Sequence, residues 1–254
     1  LTNLSHMTIL GWESKYKEIL TEFNYSRKGD IQSSKLLDSL LPKKTLTEIK
    51  CLIENKIIFI IGAGPSLSSC IPILKKYNKI TKIIADGATR AITENGLRPD
   101  IVVTDLDGDI ATLKRVGRTN AIMVVHAHGD NTEKLHLVKS FKNCVGTTQA
   151  KPFENIHNFG GFTDGDRCVF LADYFKAKKI ILFGMDFGTT IGEYSKSVVT
   201  NKTIKIRKLR RAKKLLEWIA VKSKSELYST TKIKGFTKIK LDDIDDIISS
   251  KSAF

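Results

Sequence analysis

Five short apolar runs, each followed by glycine, carboxylate or imidazole and then by a helical pattern, constrain this chain more than anything else in it. Ile57-Ile58-Phe59-Ile60-Ile61 precedes Gly62-Ala63-Gly64-Pro65-Ser66, and Lys82-Ile83-Ile84-Ala85 precedes Asp86-Gly87. Ile101-Val102-Val103-Thr104 precedes Asp105-Leu106-Asp107-Gly108-Asp109. Ala121-Ile122-Met123-Val124-Val125 precedes His126-Ala127-His128-Gly129-Asp130-Asn131, and Lys179-Ile180-Ile181-Leu182-Phe183 precedes Gly184-Met185-Asp186. A strand with one face in water alternates apolar and polar side chains; a strand that is apolar throughout is covered on both faces. Helices fill the intervals: Ser66 to Tyr77, Ala88 to Asn95 with Gly96 as the stop, one marked by Ile110, Leu113 and Val116, and one marked by Leu135, Val138 and Phe141. The fold class predicted is α/β, with a doubly wound, mostly parallel sheet. Ligands of such sheets bind beyond the carboxyl ends of the strands, which is where these polar residues collect.

Residues 1–55 predict a helical N-terminal segment: Ile9, Trp12, Tyr16, Ile19, Leu20 and Phe23 recur at helical spacing, and Leu36, Leu37, Leu40 and Leu41 form a second stripe. Thr45 with Glu48 has capping-box spacing ahead of a third. Residues 56–200 form the α/β domain that carries the chemistry. Residues 201–254 form a C-terminal extension, a basic amphipathic helix from Ile204 to Lys222 followed by strand-like residues 226–241 with Phe236 and Ile239 inward. That helix reads as a solvated surface, since no aromatic or fold signature supports nucleic-acid binding through it.

No apolar run approaches the ~20 residues of a membrane helix, and no apolar segment precedes a small-residue cleavage site near the N-terminus. The cysteines, Cys51, Cys70, Cys144 and Cys168, lie far apart in apolar contexts without metal-ligand spacing, and read as reduced core residues of a cytoplasmic protein. The net charge of +15 favours anionic partners without choosing one. The N- and C-terminal segments are candidate surfaces for self-association.

Carboxylates crowded at a strand end repel each other unless a cation lies between them. Asp105 and Asp107 leave the strand on one face, with Gly108 letting the backbone turn. Mg²⁺, a hard ion that takes oxygen ligands and shares them with phosphates, is the natural guest, and Asp130 could add a third carboxylate. His126 and His128 have no further Cys or His to complete a zinc site; His128 could contact phosphate or orient a hydroxyl. Gly62-x-Gly64 before a helix is either a tight turn or a phosphate contact, although the third glycine of the dinucleotide fingerprint and the Lys-Ser/Thr of a Walker loop are missing. Asp86 is either a helix cap or a ligand to a substrate ring or ribose. In Gly160 to Arg167, Asp164 or Asp166 caps a helix, while Arg167 could reach a phosphate.

Taken in order, Gly62-Ala63-Gly64-Pro65-Ser66-Leu67, Asp86-Gly87-Ala88, Pro99 to Gly108, His128-Gly129-Asp130-Asn131 and Gly161 to Arg167 resemble the archaeal 6-hydroxymethyl-7,8-dihydropterin pyrophosphokinases, the MptE-like group. The resemblance spans roughly residues 8–190; residues 225–254 match nothing comparable. The group is similar in its catalytic part to thiamine pyrophosphokinases, where an Asp-x-Asp turn also handles magnesium. The resemblance implies that ATP and the hydroxymethyl pterin give AMP and the pterin diphosphate. Asp105, Asp107 and Asp130 would then hold Mg²⁺ and share catalysis with His128. Gly62, Ala63, Gly64, Pro65, Ser66, Asp86, Asn131 and Arg167 would bind the nucleotide or pterin. Thiamine as acceptor, or a non-catalytic nucleotide- or nucleic-acid-binding module, are the alternatives; the module leaves the clustered carboxylates unexplained.

Overall fold

The computed structural model describes residues 9–42, 46–190, 192, 194 and 202–250. Three helices open the chain: α1 (Trp12–Phe23), α2 (Arg27–Leu40) and α3 (Thr47–Ile53). Thr45, predicted to cap the third, lies outside the described residues. The strands are β1 (Ile57–Ile61), β2 (Thr81–Ala85), β3 (Ile101–Thr104), β4 (Ile122–Ala127), β5 (Cys144–Thr148), β6 (Ile156–His157), β7 (Lys179–Phe183), β8 (Glu226–Ser229) and β9 (Thr237–Lys238). Between and after them come α4 (Leu67–Lys76), α5 (Asp86–Glu94), α6 (Ile110–Gly117), α7 (Asp164–Tyr174), α8 (Lys202–Ala220) and α9 (Ile244–Ser249).

All nine strands join one parallel sheet in the order β6-β5-β4-β3-β2-β1-β7-β8-β9. The chain walks outward from β1 to β6, returns through α7, and adds β7 on the other side of β1. The winding direction therefore reverses between β1 and β7, which opens a crevice above their carboxyl ends. Both faces are covered, as uniformly apolar strands require. Ile58 and Ile60 of β1 pack with α3 and α7, and Phe59 and Ile61 with α4, α5 and α9. α7 lies across β1, β2, β3 and β7 with its N-terminus at the crevice. α1 and α8 pack outside it, where Trp12 meets Phe170 edge-on at 5.8 Å and Trp218 stacks on the same ring.

Several sequence expectations need correction. The stretch carrying Leu135, Val138 and Phe141 is a 3₁₀ helix, Gly129–Ser140, rather than an α-helix. The apolar spacing of three was the signal, because residues three apart eclipse at three residues per turn. Asp86 does not cap α5; it is the first helical residue, and Ala85 holds the cap position. Cys51 is exposed rather than in the core, while the other three cysteines are buried and all four are free. Phe236 and Ile239 are buried as expected. Among the described residues no helix is long and apolar enough to cross a membrane.

Candidate active site

The site grows from the turn after β3. Leu106, not Gly108, takes the left-handed conformation, with φ at 65°. Leu106 is fully buried in the core, and this burial holds a conformation that a branched side chain otherwise avoids. The turn is tied by Thr104, whose hydroxyl accepts from the Leu106 N–H at 2.8 Å and donates to Asp86 Oδ2 at 2.5 Å. The same Asp86 oxygen accepts from the Gly108 N–H at 3.1 Å. Gly108 is needed for space rather than φ, since a Cβ there would sit 1.9 Å from Asp86 Oδ1.

Asp105 and Asp107 leave this turn beside Asp86 from β2 and Asp164 from the first turn of α7. One oxygen from each of the four lies within 4.8 Å of all the others. Burial, with repulsion from Asp105 and Asp107, pushes the Asp86 carboxyl up to about 7 against the hydrogen bonds from Thr104 and Gly108. Burial and then Asp105 push Asp164 well above the carboxylate range, although Arg167 opposes this. Burial alone would also raise Asp105, but the His128 ring and the Arg167 guanidinium hold it well below the usual range. So the cluster cannot keep all its charges without a counter-ion. Asp86 Oδ1 and Asp105 Oδ1 are buried with no hydrogen-bond partner. Unpaired buried carboxylate oxygens are costly, and an all-oxygen donor set of this size suits a hard divalent cation.

Around the carboxylates stands a positioning layer. His128 caps the 3₁₀ helix: its Nδ1 accepts from the Asp130 N–H at 3.3 Å, which turns Nε2 and its proton toward Asp105 Oδ2, 3.5 Å away. Asn131 returns a bond to the His128 N–H and donates to the carbonyls of Asp105 and His126. Asn131 thus fixes the β3 and β4 ends against each other. Asp30, buried on α2, accepts from the Gly129 N–H, from Tyr16 and from Gln149, so the N-terminal helices anchor this loop. His126 is held neutral, since burial and the nearby Arg167 and His128 lower its pKa well below the ordinary value. Asp130 is 65% exposed and stands 3.9 Å from His128, outside the four-carboxylate group. Asp164, which the sequence offered with Asp166 only as a helix cap, stands in the acidic cluster instead. Asp166, three bonds deep in the Thr163 capping box, does the capping of α7 and leaves Asp164 to the cluster. Arg167 is buried and pairs with Asp164 at 3.2 Å.

The glycine loop after β1 lines the same cavity as Asp105, Asp107 and Asp164. The amides of Gly62, Gly64 and Ser66 are already bonded. Gly62 donates to Phe183 and Gly64 to Gly184, and the Ser66 N–H and hydroxyl both donate to Asp186 Oδ2, at 2.9 and 2.7 Å. A carboxylate of the chain itself thereby occupies the start of α4. The glycines serve loop-on-loop packing, since a Cβ on Gly64 would meet Asp186 Oδ2 at 2.2 Å and the Gly184 carbonyl oxygen at 2.6 Å. Gly64→Ala is expected to cost about 2–3 kcal/mol, a fall of roughly 5–10 °C in melting temperature that calorimetry would measure. An unchanged melting temperature would show that the two loops separate freely.

The basic helix is a solvated surface only in part: Arg210 and Lys214 are exposed, but other basic side chains on it are engaged. Ala212, Leu215, Leu216 and Ile219 are buried, and Arg211 is paired with Glu18 and Glu22 of α1. Lys205, Lys208 and Leu209 line the same cavity as Asp105, Asp107 and Asp164. Amphipathic periodicity identified the buried face but could not show that part of the polar face looks into a site.

Residues 34–192 match the family model described as 6-hydroxymethylpterin diphosphokinase MptE-like. Three curated proteins named 6-hydroxymethyl-7,8-dihydropterin pyrophosphokinase are similar. That from Methanocaldococcus jannaschii is 42% identical over 87% of this chain and 99% of its own length. That from Pyrococcus furiosus is 44% identical over 82% and 92%. That from Methanothermobacter thermautotrophicus is 38% identical over 84% and 95%. Among solved structures, the Maf glycosyltransferase from Magnetospirillum magneticum superposes with a TM-score of 0.56 at 15% identity, over 82% of this chain. This chain spans 38% of that protein, and the likeness extends to the fold alone.

Proposed function

This chain belongs to the MptE-like family of 6-hydroxymethylpterin diphosphokinases, and from that premise we propose that it transfers the diphosphoryl group of ATP to the hydroxyl of 6-hydroxymethyl-7,8-dihydropterin. The pterin oxygen forms a bond to the β-phosphorus, the bond from that phosphorus to the α–β bridging oxygen breaks, AMP leaves, and the hydroxyl proton passes to water. The observation that carries the reading is the four carboxylates within 4.8 Å, two of them with an orphaned buried oxygen, three of which, Asp105, Asp107 and Asp164, line one cavity with Gly62, Gly64 and Gly165.

Asp86, Asp105, Asp107 and Asp164 would hold Mg²⁺. Bound there, the ion would draw phosphate oxygens to the cluster and offset the charge that develops in a loose phosphoryl-transfer transition state. The chain's own part is positioning. Asp105 stays ionised because His128 presents its Nε2–H and Arg167 adds a positive charge behind it. Asp86 shapes the turn through Thr104 and Gly108. Asn131 acts as a positioning residue through backbone carbonyls, while Asp130, on the rim, contributes from outside the cluster. The cytoplasm, with its ATP, is the compartment this reading requires.

The test is AMP formation from ATP with the hydroxymethyl dihydropterin or with thiamine, each with Mg²⁺ and again with excess EDTA. AMP appears only with the pterin and magnesium together. AMP with thiamine alone would reassign the acceptor. Tight, steeply salt-dependent oligonucleotide binding without AMP in any mixture would replace the enzyme with a binding module.

A further inference from the structure

We propose that α8 supplies the cationic wall of the site, with Lys205 and Lys208 holding the phosphate chain of the nucleoside triphosphate against the carboxylate floor. This deepens the diphosphotransferase reading and rests on it. The two lysines are three residues apart, hence on one helix face. They are the basic side chains among the described residues lining the cavity that Asp105, Asp107 and Asp164 also line.

The need for them follows from charge. A triphosphate brings about four negative charges to a floor that itself carries several carboxylates, and one divalent cation does not balance that sum. Several backbone donors beside the carboxylates are already bonded within the chain. The amides of Gly62, Gly64 and Ser66 bond within the chain, and Asp186 fills the start of α4. Arg167 is paired with Asp164. Lys205 and Lys208 bring ammonium groups to the lining of this same cavity, beside the charge that Arg167 supplies.

That wall is rigid. The Lys208 ammonium stands 5.5 Å from the Tyr25 ring centre and 5.9 Å from that of Phe162, itself a cavity residue. Arg207 bonds the Glu22 carbonyl, and Arg211 pairs with Glu18 and Glu22, so α1 clamps α8 at the turns flanking Lys208. An ammonium group held over aromatic rings, as that of Lys208 is, loses less conformational freedom on binding than that of a free surface lysine.

Binding of α,β-methylene-ATP, in which the scissile bridge cannot break, tests this by calorimetry on the full-length protein with Mg²⁺. Methionine replaces lysine to keep the aliphatic stem. Lys205→Met and Lys208→Met each weaken binding about tenfold, and the double variant about a hundredfold. Lys208→Arg recovers most of the loss. Lys214→Met removes the same charge from an exposed position of the same helix and leaves binding unchanged. In turnover the KM for ATP rises while that for the acceptor alcohol stays put. Melting temperatures identify any variant that fails through folding, and the single variants carry the test if the double one melts early. Wild-type affinity in both single variants, or an equal loss in Lys214→Met, overturns the proposal. A wild-type protein that binds no nucleotide at all sinks the underlying diphosphotransferase reading instead, and this inference with it.

Discussion

Asp107→Asn lowers the rate of AMP formation by about a thousandfold or more, equivalent to about 4 kcal/mol of transition-state stabilisation. The substitution keeps shape and removes one formal charge from the cluster Asp86, Asp105, Asp107 and Asp164. An amide oxygen is a weaker ligand to a hard cation than a carboxylate, so both metal affinity and charge compensation during transfer suffer. Asp107 is only partly buried, and Thr104, Asp86 and Gly108 tie the turn that carries it. The melting temperature of the metal-free variant therefore stays within a few degrees of wild type. Steady-state kinetics at saturating Mg²⁺, alongside a thermal melt in EDTA, measure both. Wild-type turnover would remove Asp107 from the metal site, and early melting would make any loss of activity a folding effect.

Asp86→Asn separates stability from activity, with opposite signs. The folded-state pKa of Asp86, about 7, lies above the ordinary carboxylate value because the group is buried among like charges. Between about pH 4 and pH 7 the folded protein then binds more protons than the unfolded chain. This contribution to stability is complete at low pH and is lost as the pH rises through 7, by at most about 4 kcal/mol. Asparagine cannot ionise, yet its side-chain oxygen can still accept from Thr104 and Gly108. Without metal at pH 8 the variant melts several degrees above wild type, and its stability is flatter between pH 4 and 7. Added Mg²⁺ raises the melting temperature of wild type only, and AMP formation by the variant is lost. A metal-free variant that melts below wild type at pH 8 would contradict the charge argument.

The two effects come from the same arrangement. Four acids held closer than their charges tolerate are a stability cost in the free protein and a binding energy for a cation. The positioning layer shows where that cost is supported: Asp30 on α2 holds the Gly129 end of the loop, and Asn131 joins the β3 and β4 ends. The N-terminal helices, in which the sequence displays no chemistry, reach this loop through the buried Asp30 carboxylate and through Ser33, which bonds Thr132.

Local pattern was sufficient for β1 to β4 and β7 and for the edge of the sheet where the site lies. Ile57 to Ile61 and its four counterparts can be apolar throughout only if both faces are covered, and polar residues crowding their carboxyl ends then share one rim. Asp105 and Asp107 were legible for that reason. What the sequence left open was which of the other rim residues meet them. Asp86 and Asp164 read equally well as helix caps, and Asp130 as a ligand. The assignment turned on Leu106 adopting φ of 65° under burial, on Asp166 taking the cap of α7, and on α7 crossing the sheet with Asp164 foremost. Lys205 and Lys208 lie on the far side of the chain from β3 in sequence, and their helix looks like any basic amphipathic surface until it docks on α1 and α7. Periodicity records which residues avoid water, a property each segment carries alone. Which charges come to face one another is a property of segments distant in sequence, and only their packing decides it.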